Sequence, residues 1–204
     1  MIAIIDYDAG NIRSVEKALQ HLGEETILTH DFREIQKADK VILPGVGAFG
    51  DAMGHLKHYE LDRAIKEVVA MDKPFLGLGL QLLFESSDET PGVEGLGILK
   101  GNILRIPEED GLKIPHIGWN SLEFPRVGRL FQDLPAYPYV YFVHSYYLQA
   151  QEPQIVTATC EYGVQIHASV EKNQVFACQF HPEKSSTVGL QILKNFAGVE
   201  GGRA

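Results

Sequence analysis

Three short uncharged runs, residues 2–5, 41–43 and 74–77, each end at a turn-forming group: Asp6, Pro44-Gly45-Val46-Gly47, and the glycines at 77 and 79. Runs this short and this apolar suit buried strands better than helices. Between them lie stretches of helical spacing. Ile12, Val15, Leu19 and Leu22 follow the Asp8-Ala9-Gly10-Asn11 turn and stop at Gly23, while Met53, Leu56, Leu61, Ile65 and Val68 predict one helix over residues 51–70. Residues 26–29 add a further strand, followed by a short polar segment around 34–40. Strands alternating with helices imply a parallel sheet covered on both faces, with right-handed crossovers. The third junction, residues 74–85, reads PFLGLGLQLLFE and is uncharged from Pro74 to Phe84. It predicts a buried strand, a tight turn and the start of an apolar helix. The carboxyl edge of such a sheet is where sites are built.

After Pro91 the texture changes. Residues 98–106, 139–147, 155–160, 166–170 and 175–180 read as strands, and no helix is recognisable until 187–196, where Leu190, Leu193 and Phe196 share a side. A second half of the same sheet with an antiparallel extension, or a small β subdomain, would produce this pattern. The expected organisation is a single α/β domain over 1–204, since 204 residues with 45% apolar content suffice for one core. A net charge of -9 disfavours nucleic acid and anionic membranes as partners. Met1 leads straight into residues 2–5 without a secretory pattern, and no uncharged apolar run approaches the roughly 18 residues of a membrane span. A soluble, cytoplasmic protein is expected. Two cysteines, Cys160 and Cys178, are too few for a disulfide framework and form no metal motif, so both read as reduced apolar side chains. No metal or cofactor is expected, and the first strand-helix turn lacks the glycine fingerprint of a dinucleotide site.

The sharpest chemical cluster is Gln179-Phe180-His181-Pro182-Glu183-Lys184 at the end of the last predicted strand. Pro182 restricts the link, so imidazole and carboxylate can meet at the sheet edge as a base and the group that orients it. A surface pair and half of a metal site are the other readings. Gly45 and Gly47 can turn backbone amides toward a negative oxygen, or simply end a strand. His144, in an apolar and aromatic strand, reads as a hydrogen-bonded histidine of the core or its rim. His116 precedes a glycine-containing loop with the chain's one tryptophan, Trp119, which is either an exposed interface anchor or packed beneath the loop.

These motifs, taken together and in order, resemble the class I (triad) glutamine amidotransferases. Among them the likeness is to glutaminase subunits serving imidazole glycerol phosphate synthase in histidine biosynthesis. The likeness rests on Asp8-Ala9-Gly10-Asn11-Ile12, Pro44-Gly45-Val46-Gly47-Ala48-Phe49, the run from Leu78 to Glu85, Pro115-His116-Ile117-Gly118-Trp119-Asn120, Tyr141-Phe142-Val143-His144-Ser145-Tyr146 and Gln179-Phe180-His181-Pro182-Glu183-Lys184-Ser185. It implies a flavodoxin-like fold: a mixed, mainly parallel central sheet flanked by helices, with extra antiparallel strands in the second half. It also implies hydrolysis of glutamine to glutamate and ammonia through a cysteine thioester, with His181 as base and Glu183 holding its tautomer. Gly45, Val46, Gly47 and the helix start at Leu78 would supply oxyanion donors. Gln81, Glu89, Ser145, Tyr146 and Tyr147 would bind glutamine. Asn11, Trp119, Asn120 and Lys184 would face a (β/α)8-barrel synthase subunit that uses the ammonia.

One departure is large. The family elbow reads glycine, apolar residue, cysteine, leucine, glycine, whereas here Gly77 passes directly to Leu78-Gly79, and the nucleophile is one of two absent positions. Cys178 lies three residues before His181, which places it on the opposite strand face, and Cys160 lies on another strand. Losing two residues shortens a strand's reach by roughly 6.6 Å, which should pull either the elbow or the buried strand out of place. With His181, Glu183, Gln81 and Glu89 all present, the favoured expectation is an active glutaminase in which the two positions, for example a covalently modified cysteine and its neighbour, are present in the molecule but omitted from the written sequence or locally disordered. The alternative is a catalytically inactive amidotransferase-like subunit that binds and regulates the synthase. A metal-dependent hydrolase built on His181 and Glu183 is the third reading.

Overall fold

The structure, a computed structural model, describes residues 1–8, 12–45 and 47–201. The chain begins with β1 (Ile2–Ile5), α1 (Ile12–His21), β2 (Thr26–Thr29), α2 (Phe32–Lys37) and β3 (Lys40–Leu43). Two helices follow, α3 (Phe49–His58) and α4 (Leu61–Ala70), before β4 (Phe75–Gly77) and a 3-10 turn at Leu80–Leu83. The second half supplies β5 (Ser86–Ser87), β6 (Gly101–Arg105), β7 (His116–Ser121), β8 (Tyr139–His144) and β9 (Tyr146–Ala150). It closes with β10 (Val156–Tyr162), β11 (Val164–Lys172), β12 (Val175–Cys178) and α5 (Ser186–Ala197).

Seven strands form the central sheet in the order β10-β11-β12-β4-β3-β1-β2. The pairs from β12 to β2 are parallel, and β11 and β10 are antiparallel additions. This is the mixed, mainly parallel architecture expected. Side chains alternate across it as the period of two demands. Ala3, Ile5, Val41 and Leu43 pack with Ile35, Met53, Leu56, Ile65 and Val68 on one face, whereas Ile2, Ile4, Ile42 and Leu76 pack with Val15, Leu19, Leu193 and Phe196 on the other. Helices α2, α3 and α4 therefore cover one face and α1 and α5 the other. Two smaller sheets lie outside it: β5-β6-β9, and the ribbon β7-β8.

Four sequence expectations need correction. The predicted helix over 51–70 is two helices, because Tyr59 closes the first and Glu60 takes φ +55 before the second. The loop expected around His116 and Trp119 is strand β7, paired residue for residue with β8. The run 139–147 breaks at Ser145 and sends its two halves to different sheets. The helix expected after the elbow is a single 3-10 turn.

The elbow itself is where the two missing positions are accommodated. Strand β4 keeps full register, Phe75 and Leu76 pairing with Val41 and Ile42 on one side and with Val175 and Phe176 on the other. The Leu78 amide donates to the Leu43 carbonyl at 2.8 Å, so the last rung is intact. The buried strand is not displaced, and the turn takes up the difference. A Cβ placed on Gly45 would lie 1.8 Å from the Gly79 Cα, so the two backbones touch with no room for a side chain. The carbonyls of Leu82, Leu83, Phe84 and Glu85 accept not from a continuing helix but from the amides of Leu96, Ile98 and Leu99, Gly97, and Gly95 respectively.

Replacing Gly45 by Ala should therefore lower stability by roughly 3 kcal/mol, an overpacking penalty that backbone atoms cannot relieve by rotamer change. Gly54→Ala, on the open face of α3 with nothing within 4 Å, should instead stabilise by about 0.5–1 kcal/mol. Urea unfolding midpoints for the two variants check both signs.

Candidate functional site

Because β1, β3, β4 and β12 run in parallel, their carboxyl ends deliver the turns after Leu43, Gly77 and Cys178 to one edge. A cavity of about 410 Å³ opens there. From the turn after β3 come Gly45 and Gly47, from the shortened elbow Leu78, Gly79 and Gln81, and from the loop beyond it Glu89. Ser145 and Tyr146 line it at the β8–β9 break, and His181 and Lys184 after β12. Val46 and Asn11, also expected at functional positions, lie outside the described residues.

His181 is held by its neighbours from several sides. Its Nδ1 lies 3.0 Å from Oε1 of buried Glu183, so the proton on Nδ1 points to the carboxylate and Nε2 remains the ring's basic nitrogen. The His181 amide donates to the Tyr141 carbonyl at 2.9 Å, and its own carbonyl accepts from the Ser185 hydroxyl at 2.6 Å. Glu183 Oε2 is buried and meets no donor among the described residues. The described residues contain no group of three or more His, Cys, Asp or Glu side chains able to hold a metal.

Glu89 reaches across the cavity mouth to accept from the Phe49 amide at 2.9 Å, while the Thr90 hydroxyl accepts from Gly50 at 3.2 Å. Together they satisfy first-turn amides of α3, whose N-cap Ala48 has no side-chain oxygen to offer. Gln81 donates through Nε2 to the Tyr146 carbonyl at 2.9 Å and to Gln179 Oε1 at 3.0 Å. Tyr147 does not line the cavity and packs instead against the apolar cluster on the α1–α5 side of the sheet. Trp119 stands about half exposed on β7, and Asn120 turns its Nδ2 to the Glu161 carbonyl at 2.9 Å.

The cavity also contains His144 and Gln179, which were not among the expected site residues. For Gln179 a signal existed: it sits two residues before His181, and strand periodicity puts both on one side. His144 Nδ1 approaches the Tyr146 carbonyl at 2.8 Å, and its Nε2 lies 2.9 Å from Nδ1 of His116. Burial pushes both rings down to about 4, so they are neutral near pH 7.

No thiol reaches this site. Cys160 on β10 and Cys178 on β12 are buried in the apolar cluster around Phe142, Phe176 and Phe180, and burial raises each to about 12. The chain has only these two cysteines, and neither lies near the Gly77-Leu78-Gly79 junction, where the sequence passes from glycine to leucine to glycine. The expectation of an active, thioester-forming glutaminase is overturned by this: the imidazole and carboxylate are assembled with no cysteine beside them to form the thioester.

The class-I glutamine amidotransferase profile matches residues 3–198. Among relatives, the imidazole glycerol phosphate synthase subunit HisH of Moorella thermoacetica is 51% identical over 197 residues, 96% of this chain and 93% of its own length. HisH of Bacillus cereus is 51% identical over 201 residues, 98% of this chain and 95% of its own. The fold is shared with a crystallised glutamine amidotransferase at TM-score 0.75 and 18% identity, covering 97% of this chain and all of that one. PurLQS from Thermotoga maritima gives 0.73 and 20%, covering 96% of each chain.

Two outcomes follow from the buried groups. Iodoacetamide should leave both cysteines unlabelled in the folded chain and label both after denaturation, read by intact-mass spectrometry; rapid native labelling of either would contradict their inertness. Lowering pH should destabilise the chain between about 6.5 and 4. In that window unfolded His116 and His144 bind protons that the folded rings refuse, so unfolding takes up as many as about two protons. Urea midpoints at pH 7.5, 5.5 and 4.5 measure it, and a flat profile would contradict it.

Proposed function

The chain belongs to the class-I glutamine amidotransferase family, among relatives of the imidazole glycerol phosphate synthase subunit HisH, and on that basis we propose that it is a catalytically silent amidotransferase subunit that binds and regulates a synthase. The observation that carries this reading is the closed elbow. Gly77, Leu78 and Gly79 form a continuous turn against Gly45, and the His181–Glu183 pair beside it has no thiol to deprotonate. General-base chemistry alone does not supply the covalent step by which such a triad releases ammonia. The reading treats residues 1–204 as one amidotransferase-type domain, in keeping with a family match over 3–198 and a sheet drawing strands from both halves.

The partner in this reading is a (β/α)8-barrel synthase subunit, and the ribbon β7-β8 is the surface offered to it. Its outer face exposes Ile117 (59%), Trp119 (52%), Tyr139 (59%) and Val143 (40%), with Trp119 and Tyr141 edge to face at 6.0 Å. Aromatic anchors on a rigid two-stranded platform are the composition of an interface centre. Val143 and Lys184 also line the cavity, so occupancy of the cavity and docking of the ribbon share residues. Glutamine, in this reading, is a ligand of the cavity and not a substrate. Regulation then consists of the subunit changing the barrel's use of free ammonia.

Synthase turnover, assayed with the barrel subunit and its nucleotide substrate, tests the reading. With ammonium salt the chain should change the rate through a saturable complex. With glutamine replacing ammonium, turnover and glutamate release should stay at background. Glutamine-dependent turnover above background would overturn the proposal. Trp119→Ala should weaken the complex by roughly ten- to a hundredfold, measured by titration calorimetry.

A further inference from the structure

Behind the cavity wall runs a file of hydrogen bonds whose proton positions can be deduced. The Tyr146 carbonyl can only accept, so His144 Nδ1, 2.8 Å away, must bear a hydrogen. A neutral His144 then has a bare Nε2. Its partner at 2.9 Å is Nδ1 of His116, which must therefore donate. That leaves His116 Nε2 bare in turn, facing the Asn120 amide nitrogen at 3.5 Å, and the same nitrogen donates to the Glu161 carbonyl at 2.9 Å. The protons are ordered in one direction, from Asn120 through His116 and His144 to Tyr146.

The file ends on a group that shapes the cavity. The Tyr146 carbonyl also accepts from Gln81 Nε2 at 2.9 Å, and a carbonyl there admits only the nitrogen end of that amide. Since Gln81 Nε2 also donates to Gln179 Oε1 at 3.0 Å, both its hydrogens are engaged, and Oε1 is the amide atom left for a ligand. The cavity wall at Gln81 is thus set to accept a hydrogen bond from whatever enters.

We propose that His116, which does not line the cavity, is a positioning residue: it holds His144 in the Nδ1–H tautomer and thereby keeps the Tyr146 carbonyl and the Gln81 amide in their cavity-facing arrangement. His116 is itself fixed. Its ring is sandwiched between Tyr162, 3.8 Å away at 17°, and Phe142, 4.8 Å away at 20°. It stands opposite His144 in the β7–β8 register, on the reverse of the face that exposes Ile117 and Trp119. A proton added at His144 Nε2 would meet the His116 donor, and one added at His116 Nε2 would meet the Asn120 donor. The ionisable side chains facing the pair are Tyr162, stacked on His116, and His181, whose charge disfavours a charged His144; Tyr146 meets His144 through its main-chain carbonyl, and no carboxylate among the described residues is paired with either ring. The inference goes beyond the regulatory reading and stands whether or not a synthase is bound.

Nitrogen-15 correlation spectra of the full-length chain test it. Both rings should show the Nδ1–H tautomer, the less populated one in free histidine, and Nε2–H on either ring would overturn the proposal without any variant. His116→Phe keeps the aromatic stack and removes the donor. His144 should then titrate about one pH unit or more higher, and the Gln81 side-chain amide resonances should move. His116→Asn, whose amide nitrogen can stand where Nδ1 stood, should restore both. If the phenylalanine variant leaves His144 titration and the Gln81 signals unchanged, His116 is packing alone and the proposal fails.

Discussion

Strand β4 is hydrogen-bonded on both sides, and the geometry of the whole cavity depends on that constraint. Its three residues lie between β3 and β12 with every pairing in register, so the point at which the chain leaves the sheet is fixed before the turn begins. A chain so anchored cannot redistribute a shortened turn into the strand. It can only bring the turn closer to the sheet edge, where the next backbone it meets is Gly45. Contact without clash needs a glycine on each side, and Gly45 and Gly79 provide it. Beyond the contact the chain has one 3-10 turn before Phe84. The carbonyls from 82 to 85 are then covered by amides of residues 95–99, so the short helix leaves no carbonyl of that stretch unpaired. Close approach at this point is itself glycine-dependent, since a Cβ on Gly95 would sit 2.1 Å from the Phe84 carbonyl oxygen.

Much of this sheet was readable because its strands are short apolar runs ended by turn residues, and residues 26–29 form a strand with the bounds the pattern suggests. The missed break between α3 and α4 had left a trace. Leu56 and Leu61 are five apart, one step off the helical period, and Glu60 between them adopts a left-handed backbone. Strand β7 was harder to see: Gly118 has φ +137, the apolar residues Ile117 and Trp119 face outward, and the inward positions are His116, Gly118 and Asn120, so its polarity pattern is the reverse of a core strand's. The break at Ser145 is a matter of which sheets the two halves join, and pairing partners distant in sequence leave no local mark. At the site, the absence of a cysteine was visible in the sequence, whereas its structural consequence was not. Whether two missing positions distort a strand or close a turn depends on what stands opposite, and Gly45 is opposed to Gly79 only in three dimensions.

The ordered His181–Glu183 pair in a cavity without a cysteine has a local physical explanation. The segment carrying it ties the ribbon to the sheet. The Tyr141 carbonyl accepts from the His181 amide, the Tyr141 amide donates to the Ser185 hydroxyl at 3.0 Å, and that hydroxyl donates to the His181 carbonyl, closing a small ring of bonds between β8 and the start of α5. Helix α5 sits tightly on this segment because Gly189 lets it approach; a Cβ there would lie 1.8 Å from the Pro182 carbonyl oxygen. Each of these bonds is worth on the order of 1 kcal/mol net, and none involves the imidazole. Packing therefore holds the backbone of residues 181–185 in place, and the imidazole is presented to the cavity as a consequence. Glu183 Oε2, buried and without a donor among the described residues, opposes this, and a buried acceptor left so costs about 1–3 kcal/mol. The ring of backbone and Ser185 bonds is of a size to offset it. Because Tyr141 belongs to the ribbon whose outer face carries Trp119, the ribbon is joined to His181 directly by the amide-to-carbonyl bond and indirectly through the Ser185 hydroxyl. The bonds that join ribbon and cavity wall are thus backbone and hydroxyl bonds, and none of them depends on a cysteine at the elbow.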